Sequence, residues 1–142
     1  MLTQAEADAY IAEAKRFPLP TAVPIGAGVD STYELTGDDS GTAFLLDVWR
    51  GSLRLTRVKF QNRVRVATVL VRIDDSRHTN PDGQQFDGLH IHTYREGSDD
   101  KWAQQLDPQL FTDPFDIERL FREFCNYCNI DHGQVTVQVG ML

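Results

Sequence analysis

The chain has 142 residues, 41% hydrophobic and 25% charged, proportions of an ordinary globular domain with room for one packed core. No apolar run approaches the ~18–20 residues that span a bilayer. The opening M-L-T-Q-A-E-A-D-A-Y has neither the basic nor the apolar region of a signal peptide, so a cytoplasmic protein without membrane contact is expected. The net charge of −7 is unevenly spread. Residues 50–77 carry eight basic side chains (Arg50, Arg54, Arg57, Lys59, Arg63, Arg65, Arg72 and Arg77) against two acids, while the rest carries six basic and nineteen acidic ones. An acidic body with one basic ribbon suits phosphate binding or docking of an acidic protein partner. It equally suits ion pairing within the chain.

In chain order, residues 3–17 are predicted helical. Thr3 and Glu6 have capping-box spacing, Ala5, Ala9, Ile11 and Ala12 form a thin apolar stripe, and Pro18 stops the helix. Residues 18–28 read as a connector rich in Pro and Gly, and 31–36 as a short strand. Residues 42–50 form a strand with Phe44, Leu46 and Val48 on one side, and Gly51 permits a tight reversal into a strand over 52–62. The apolar alternation of that strand changes phase between Leu53/Leu55 and Val58/Phe60, which predicts a bulge near Thr56-Arg57. The strand over 64–74 buries Val69, Val71 and Ile73 and offers Thr68, Arg72 and Asp74 on its other face.

Residues 72–103 are the chemically dense part, with three of the four histidines. Asn80-Pro81-Asp82-Gly83 is turn chemistry. In the following strand, L-H-I-H-T-Y-R, alternation sends Leu89 and Ile91 to one face and His90, His92 and Tyr94 to the other. If sequential strands pair, the basic row, Arg72 with Asp74, and His90 with His92 share one polar sheet face. Asp99 or Asp100 is expected to cap a helical turn at 101–103. Residues 106–115 are loop. Residues 116–130 give the clearest helix, with Ile117, Leu120, Phe121, Phe124, Cys125 and Cys128 in one stripe, and residues 134–139 close the chain as a strand. The fold class is α+β: one domain over 1–142, with an antiparallel or mixed sheet of five to six strands and helices on one face.

Two chemistries fit the dense stretch. In the first, His78, His90, His92 and Asp74 supply proton transfer and Arg57, Lys59, Arg72 and Arg95 hold phosphate, the set that metal-independent cleavage of RNA or a nucleotide requires. In the second, H-x-H places two imidazoles on one side of a strand, and Asp74 or His78 completes a metal shell. The spacing lacks a zinc signature, so the metal-free chemistry is preferred and no cofactor is expected. Cys125-x-x-Cys128-x-x-x-His132 resembles half a zinc site, but its cysteines continue an apolar helix stripe and read as core. Tyr94, Trp102 and Phe115 suit base stacking and, more often, core packing. The phosphate-cradling Gly-rich loop, G-x-S-x-G and H-E-x-x-H are absent, which disfavours nucleotide hydrolases and zinc proteases of those types.

The central motifs R-I-D, H-T-N-P-D-G, G-L-H-I-H-T-Y-R-E-G and D-K-W-A resemble the signature of a family of small, uncharacterised bacterial and phage proteins. His78, Asn80, Asp82, His90, Arg95, Lys101 and Trp102 match that pattern directly. One apparent insertion displaces His92 from it. The resemblance implies no activity. The order R-x-D, His, H-x-H is also similar to small toxin components of toxin–antitoxin systems. The expected function is therefore action on RNA or a nucleotide in the setting of mobile elements or phage conflict. The alternative is a non-catalytic protein-binding module, such as an inhibitor of a host defence complex.

Overall fold

A computed structural model describes residues 1–140. The elements are α1 (Gln4–Ala12), β1 (Lys15–Arg16), β2 (Thr21–Pro24), β3 (Asp30–Gly37), β4 (Ala43–Arg50), β5 (Val58–Val64), β6 (Thr68–Asp74), β7 (His78–Thr79), β8 (Gln85–Phe86), β9 (His90–Thr93), β10 (Ala103–Gln104), α2 (Ile117–Tyr127), β11 (Ile130–Asp131) and β12 (Val135–Gln138). One sheet of eight strands, ordered β10-β9-β6-β5-β4-β3-β1-β11, organises the fold, and it is antiparallel except where β1 meets β11. The α+β class thus holds, with more strands than the five to six expected. The extra strands are two-residue edge pieces, too short to show alternation in the sequence. β2 and β12 pair in parallel beside the main sheet, and β7 and β8 form a small hairpin.

Strict alternation builds the centre. Phe44, Leu46 and Val48 of β4 and Val58, Phe60, Asn62 and Val64 of β5 all turn to one buried face. Both helices cover that face. α2 sets Phe121 and Phe124 against Phe60, with ring centroids 5.4 and 5.9 Å apart, and α1 sets Tyr10 against Phe44 at 5.7 Å. Aromatic contacts of this kind add about 0.5–1.5 kcal/mol beyond area burial. Cys125 and Cys128 are fully buried in the same core, and burial pushes the Cys128 thiol up to about 12. They pack as small apolar groups.

Several expectations need correction. The capping box of Thr3 and Glu6 is present, but α1 ends at Ala12 instead of residue 17, because the chain extends to pair β1 with β3 and β11. There Lys15, fully buried, donates from Nζ to the carbonyls of Ile11 (3.1 Å), Glu13 (2.9 Å) and Cys128 (2.7 Å), satisfying carbonyls at the ends of both helices. The connector after Pro18 contains strand β2. Residues 51–57 form a loop in place of the expected strand start, which leaves Leu53 97% exposed. The apparent phase change was loop sequence, and a Cβ at Gly51 would come within 2.4 Å of the Arg54 carbonyl oxygen. The real bulge lies in β6, where Asn62 and Arg63 face Val71 and Val69 and leave Leu70 unpaired. Leu70 and Val71 are both buried, and Tyr94, whose N–H reaches the Leu70 carbonyl, joins the core with its hydroxyl on the Leu2 carbonyl (2.6 Å). Tyr94 is therefore not on the polar face. Residues 101–103 lead into β10 without a helical turn, and Phe115 is 95% exposed where core packing was the more frequent role.

Candidate functional site

The site is a product of β6–β9 register. Asp74 lies directly across from His90, and Arg72 from His92, while on the other side of β6 Lys59 pairs with Asp74 and Gln61 with Arg72. Directly paired residues project to the same side of a sheet. Asp74, Arg72, His90, His92 and Lys59 accordingly share one face, opposite the helices. Around the histidines that face is closed to water, while Arg72 and Lys59 stay half-buried. His90 and His92 are 0% exposed, and Asp74 is buried.

The cover comes from two segments. The turn at Asn80-Pro81-Asp82-Gly83 closes with the Gly83 N–H on the Asn80 carbonyl (2.8 Å), Gly83 taking φ +91° at no side-chain cost. This folds β7 against β8 and lays Phe86 beside His90, with ring centroids 5.8 Å apart. The second segment runs from Arg95 to Gln104. Asn80 ties the two together: its Oδ1 accepts from the Ala103 N–H (2.8 Å) and its Nδ2 donates to the Ala103 carbonyl (3.0 Å). His78 donates from Nε2 to the Lys101 carbonyl (2.8 Å), with Asn80 Oδ1 at 2.9 Å. Its ring sits 4.5 Å from that of His92 and 5.8 Å from that of His90, and the His90 and His92 rings are 4.8 Å apart. The strands and the hairpin thus bring three imidazoles into mutual contact.

Backbone carbonyls fix the tautomers. His90 Nδ1 is 2.8 Å from the Gly88 carbonyl, and His92 Nδ1 is 2.8 Å from the Asp100 carbonyl. A carbonyl only accepts, so each Nδ1 carries the hydrogen and each neutral ring presents its lone pair at Nε2. Both Nε2 atoms are buried without a hydrogen-bond partner. An unmet buried polar atom costs about 1–3 kcal/mol. His90 Nε2 lies 3.1 Å from Asp74 Oδ1 but off the line of an aligned hydrogen bond, so the two meet as an ion pair when the ring is charged.

Electrostatics separate the two rings. Burial pushes the His92 pKa down to about 4, with the Arg72 guanidinium acting in the same direction. Burial also works against charge on His90, but the Asp74 carboxylate and the Gly88 carbonyl outweigh it and raise the pKa. For Asp74, burial opposes ionisation and is overcome by His90 and Arg72, which bring its pKa to about 2. Arg72 Nε lies 2.8 Å from Asp74 Oδ2, and its Nη1 meets Asp100. The centre is thus an ionised carboxylate held by one guanidinium, facing one imidazole whose pKa is lowered and one whose pKa is raised.

The other expected phosphate contacts lie apart or are engaged. Arg57 pairs with Asp75 (3.1 Å) and reaches Ser76. Arg95 is exposed and stacks on Trp102, 4.2 Å from its centroid. Across the basic ribbon, Arg57, Arg63, Arg65, Arg72 and Arg77 are all in ion pairs, with Asp75, Asp47, Glu6, Asp74 with Asp100, and Asp87 respectively. Charge pairing within the chain therefore takes up most of the ribbon. Cys125, Cys128 and His132 do not assemble a metal site, because His132 contacts Arg122 and Asn126 while the thiols face the core. Asn80, Gly88 and Asp100 are site residues that residue chemistry alone did not single out. Asn80 stood in the H-T-N-P-D-G motif, and Asp100 opens D-K-W-A.

Fold and site together define an α+β protein with a covered histidine–carboxylate centre on an eight-stranded sheet. The chain belongs to a Family of unknown function (DUF6978), whose model matches residues 2–130 and so takes in the whole centre. No curated protein and no solved structure matches it. No helix among the described residues is long and apolar enough to cross a membrane.

Proposed function

We propose that the protein acts on phosphoester bonds of RNA or a nucleotide at this centre, in a bacterial or phage setting. The observation that carries the reading is the packing of three imidazoles against one ionised carboxylate and one guanidinium, under a cover to which the short β7–β8 hairpin belongs. Imidazole transfers protons near neutral pH, and a guanidinium stabilises charge on phosphate oxygens. His78 is the proton-transferring group, because it alone of the three rings is partly exposed. Substrate meets it at the exposed edge of its ring, on the β7–β8 hairpin. With most of the basic ribbon paired internally, little free charge remains to follow a long phosphate backbone, and a nucleotide or a short single-stranded end fits better than a duplex.

The test is turnover of labelled RNA oligonucleotides and common nucleotides by wild type and by His78→Ala. Loss of about 10²–10⁴-fold in the folded variant is the expected result for a proton-transfer residue. Equal turnover by the two proteins excludes that role for His78. No turnover by wild type on any substrate moves the assignment to the second reading, a protein-binding module. That reading is favoured by a separate feature, an apolar cleft of about 660 Å³ walled by Leu55, Val58, Leu89, Leu106, Phe115 and Ile117.

A further inference from the structure

We propose that Asp74, His90 and His92 bind one divalent transition-metal ion, with Asp74 Oδ1 and the two Nε2 atoms as its ligands. The inference goes beyond the phosphoester reading and stands without it, since it rests on the donor atoms alone. Those three atoms lie within 4.8 Å of one another, and Asp74 Oδ1 is 3.1 Å from His90 Nε2. Bonds of about 2.0–2.2 Å to imidazole nitrogen and carboxylate oxygen are made from such a spread by small side-chain adjustments.

Four further features are those of a built site. Each imidazole gives its Nδ1–H to a backbone carbonyl, Gly88 for His90 and Asp100 for His92. This is the outer arrangement that orients a metal-binding histidine and strengthens its free nitrogen as a donor. Both free nitrogens are buried without an aligned hydrogen bond, His90 Nε2 facing Asp74 Oδ1 at 3.1 Å, an arrangement that an ion between the three atoms would satisfy. Arg72 holds Asp74 by Oδ2 and leaves Oδ1 turned toward His90. All three ligands stand on paired strands of the sheet, which fix their spacing more firmly than a loop can.

The donor set names the class of ion. Two imidazoles and one carboxylate suit zinc, iron(II), cobalt(II) or nickel(II), whereas magnesium and calcium require oxygen-rich shells. Three protein ligands leave at least one coordination position for water or substrate. In that case His90 and His92 anchor the ion, and His78 remains the imidazole free to move protons.

The experiment uses the full chain, stripped with chelator and dialysed. Zinc is titrated calorimetrically, bound metal is counted by mass spectrometry, and cobalt(II) is added as an optical probe. The expected result is one ion per chain, a cobalt d–d spectrum typical of nitrogen and oxygen ligands, and a zinc-dependent rise in melting temperature. The double variant His90→Asn/His92→Asn should lose affinity by at least 100-fold, and His132→Ala should bind as wild type does. Absence of a bound ion in wild type overturns the proposal, as does a double variant that binds with unchanged affinity. Should the double variant fail to fold, the wild-type stoichiometry and the cobalt spectrum decide. An ion without turnover leaves this site standing and sinks the phosphoester reading. Turnover by metal-free protein that EDTA does not affect, with no ion bound on titration, does the reverse.

Discussion

Asn80→Ala tests how the centre is covered. The Asn80 side chain is buried and makes three contacts: it accepts from the Ala103 N–H, donates to the Ala103 carbonyl and lies 2.9 Å from His78 Nε2. Alanine removes all three. Each lost hydrogen bond is worth about 0.5–1.5 kcal/mol, and a buried backbone group left unmet costs about 1–3 kcal/mol. Water entering after the hairpin loosens recovers part of this, so the expected net loss is about 2–3 kcal/mol. The loss should be local, because β7 and β8 share only two residue pairs with each other and their own small sheet is separate from the main one. Native-state amide exchange at Ala103 and at residue 80 is the assay, since the Ala103 N–H meets Asn80 Oδ1 and the backbone N–H of residue 80 meets the Gln84 carbonyl. Exchange at Ala103 should quicken by about 30- to 150-fold, with protection in β4 and β5 changing far less. If Ala103 exchanges at the wild-type rate, Asn80 is not the tie between the two covering segments. If β4 and β5 lose protection equally, the cover is not a separate opening unit.

Other regions give further expectations. The folded pKa of Lys15 is lowered by burial to about 8 from 10.5, so between those values the unfolded chain binds more protons and stability rises with pH. Wild-type stability relative to Lys15→Met should therefore increase by about 2–3 kcal/mol from pH 7 to pH 10 in urea titrations, and a constant difference would refute the buried charge. At pH 7 the same variant should be less stable by about 1–3 kcal/mol, because three carbonyls lose their donor. Val66 is exposed and holds φ +65° in the β5–β6 turn, which a β-branched residue adopts at a cost. Val66→Asn should stabilise by about 1 kcal/mol in denaturant melts, and an unchanged or lower midpoint would count against strain there.

Much of the fold was legible because period-2 patterning reports directly on a half-buried sheet. Phe44, Leu46 and Val48 declared β4, and Ile117 through Cys128 declared α2, with no tertiary information needed. The failures occurred where local pattern is not what decides. Leu53 and Leu55 look like strand residues but occupy a loop, since only pairing with β4 and β6 determines where β5 begins, and that pairing starts at Val58. Lys15, Ala103 and Ile130 enter the sheet in two-residue strands, shorter than any periodicity can reveal.

The site divides along the same line. Alternation and sequential pairing were sufficient to put Asp74, Arg72, His90 and His92 on one face. They could not show that this face is dry, because the cover is made by residues 75–88 and 95–104 folding back over it. Burial changes the chemical argument more than position does. On an open sheet the H-x-H pair would meet water at both ring nitrogens, and the metal-free reading would need nothing more. Beneath the cover, Gly88 and Asp100 take one nitrogen of each ring and leave the other buried without an aligned hydrogen bond, the His90 one facing Asp74. A sheet that positions two lone pairs and a carboxylate oxygen within 4.8 Å and then seals them from solvent is hard to account for by stability alone, since an apolar pair at 90 and 92 would avoid the desolvation cost. That cost is the physical reason to assign the cluster a working role and to search for its ion first.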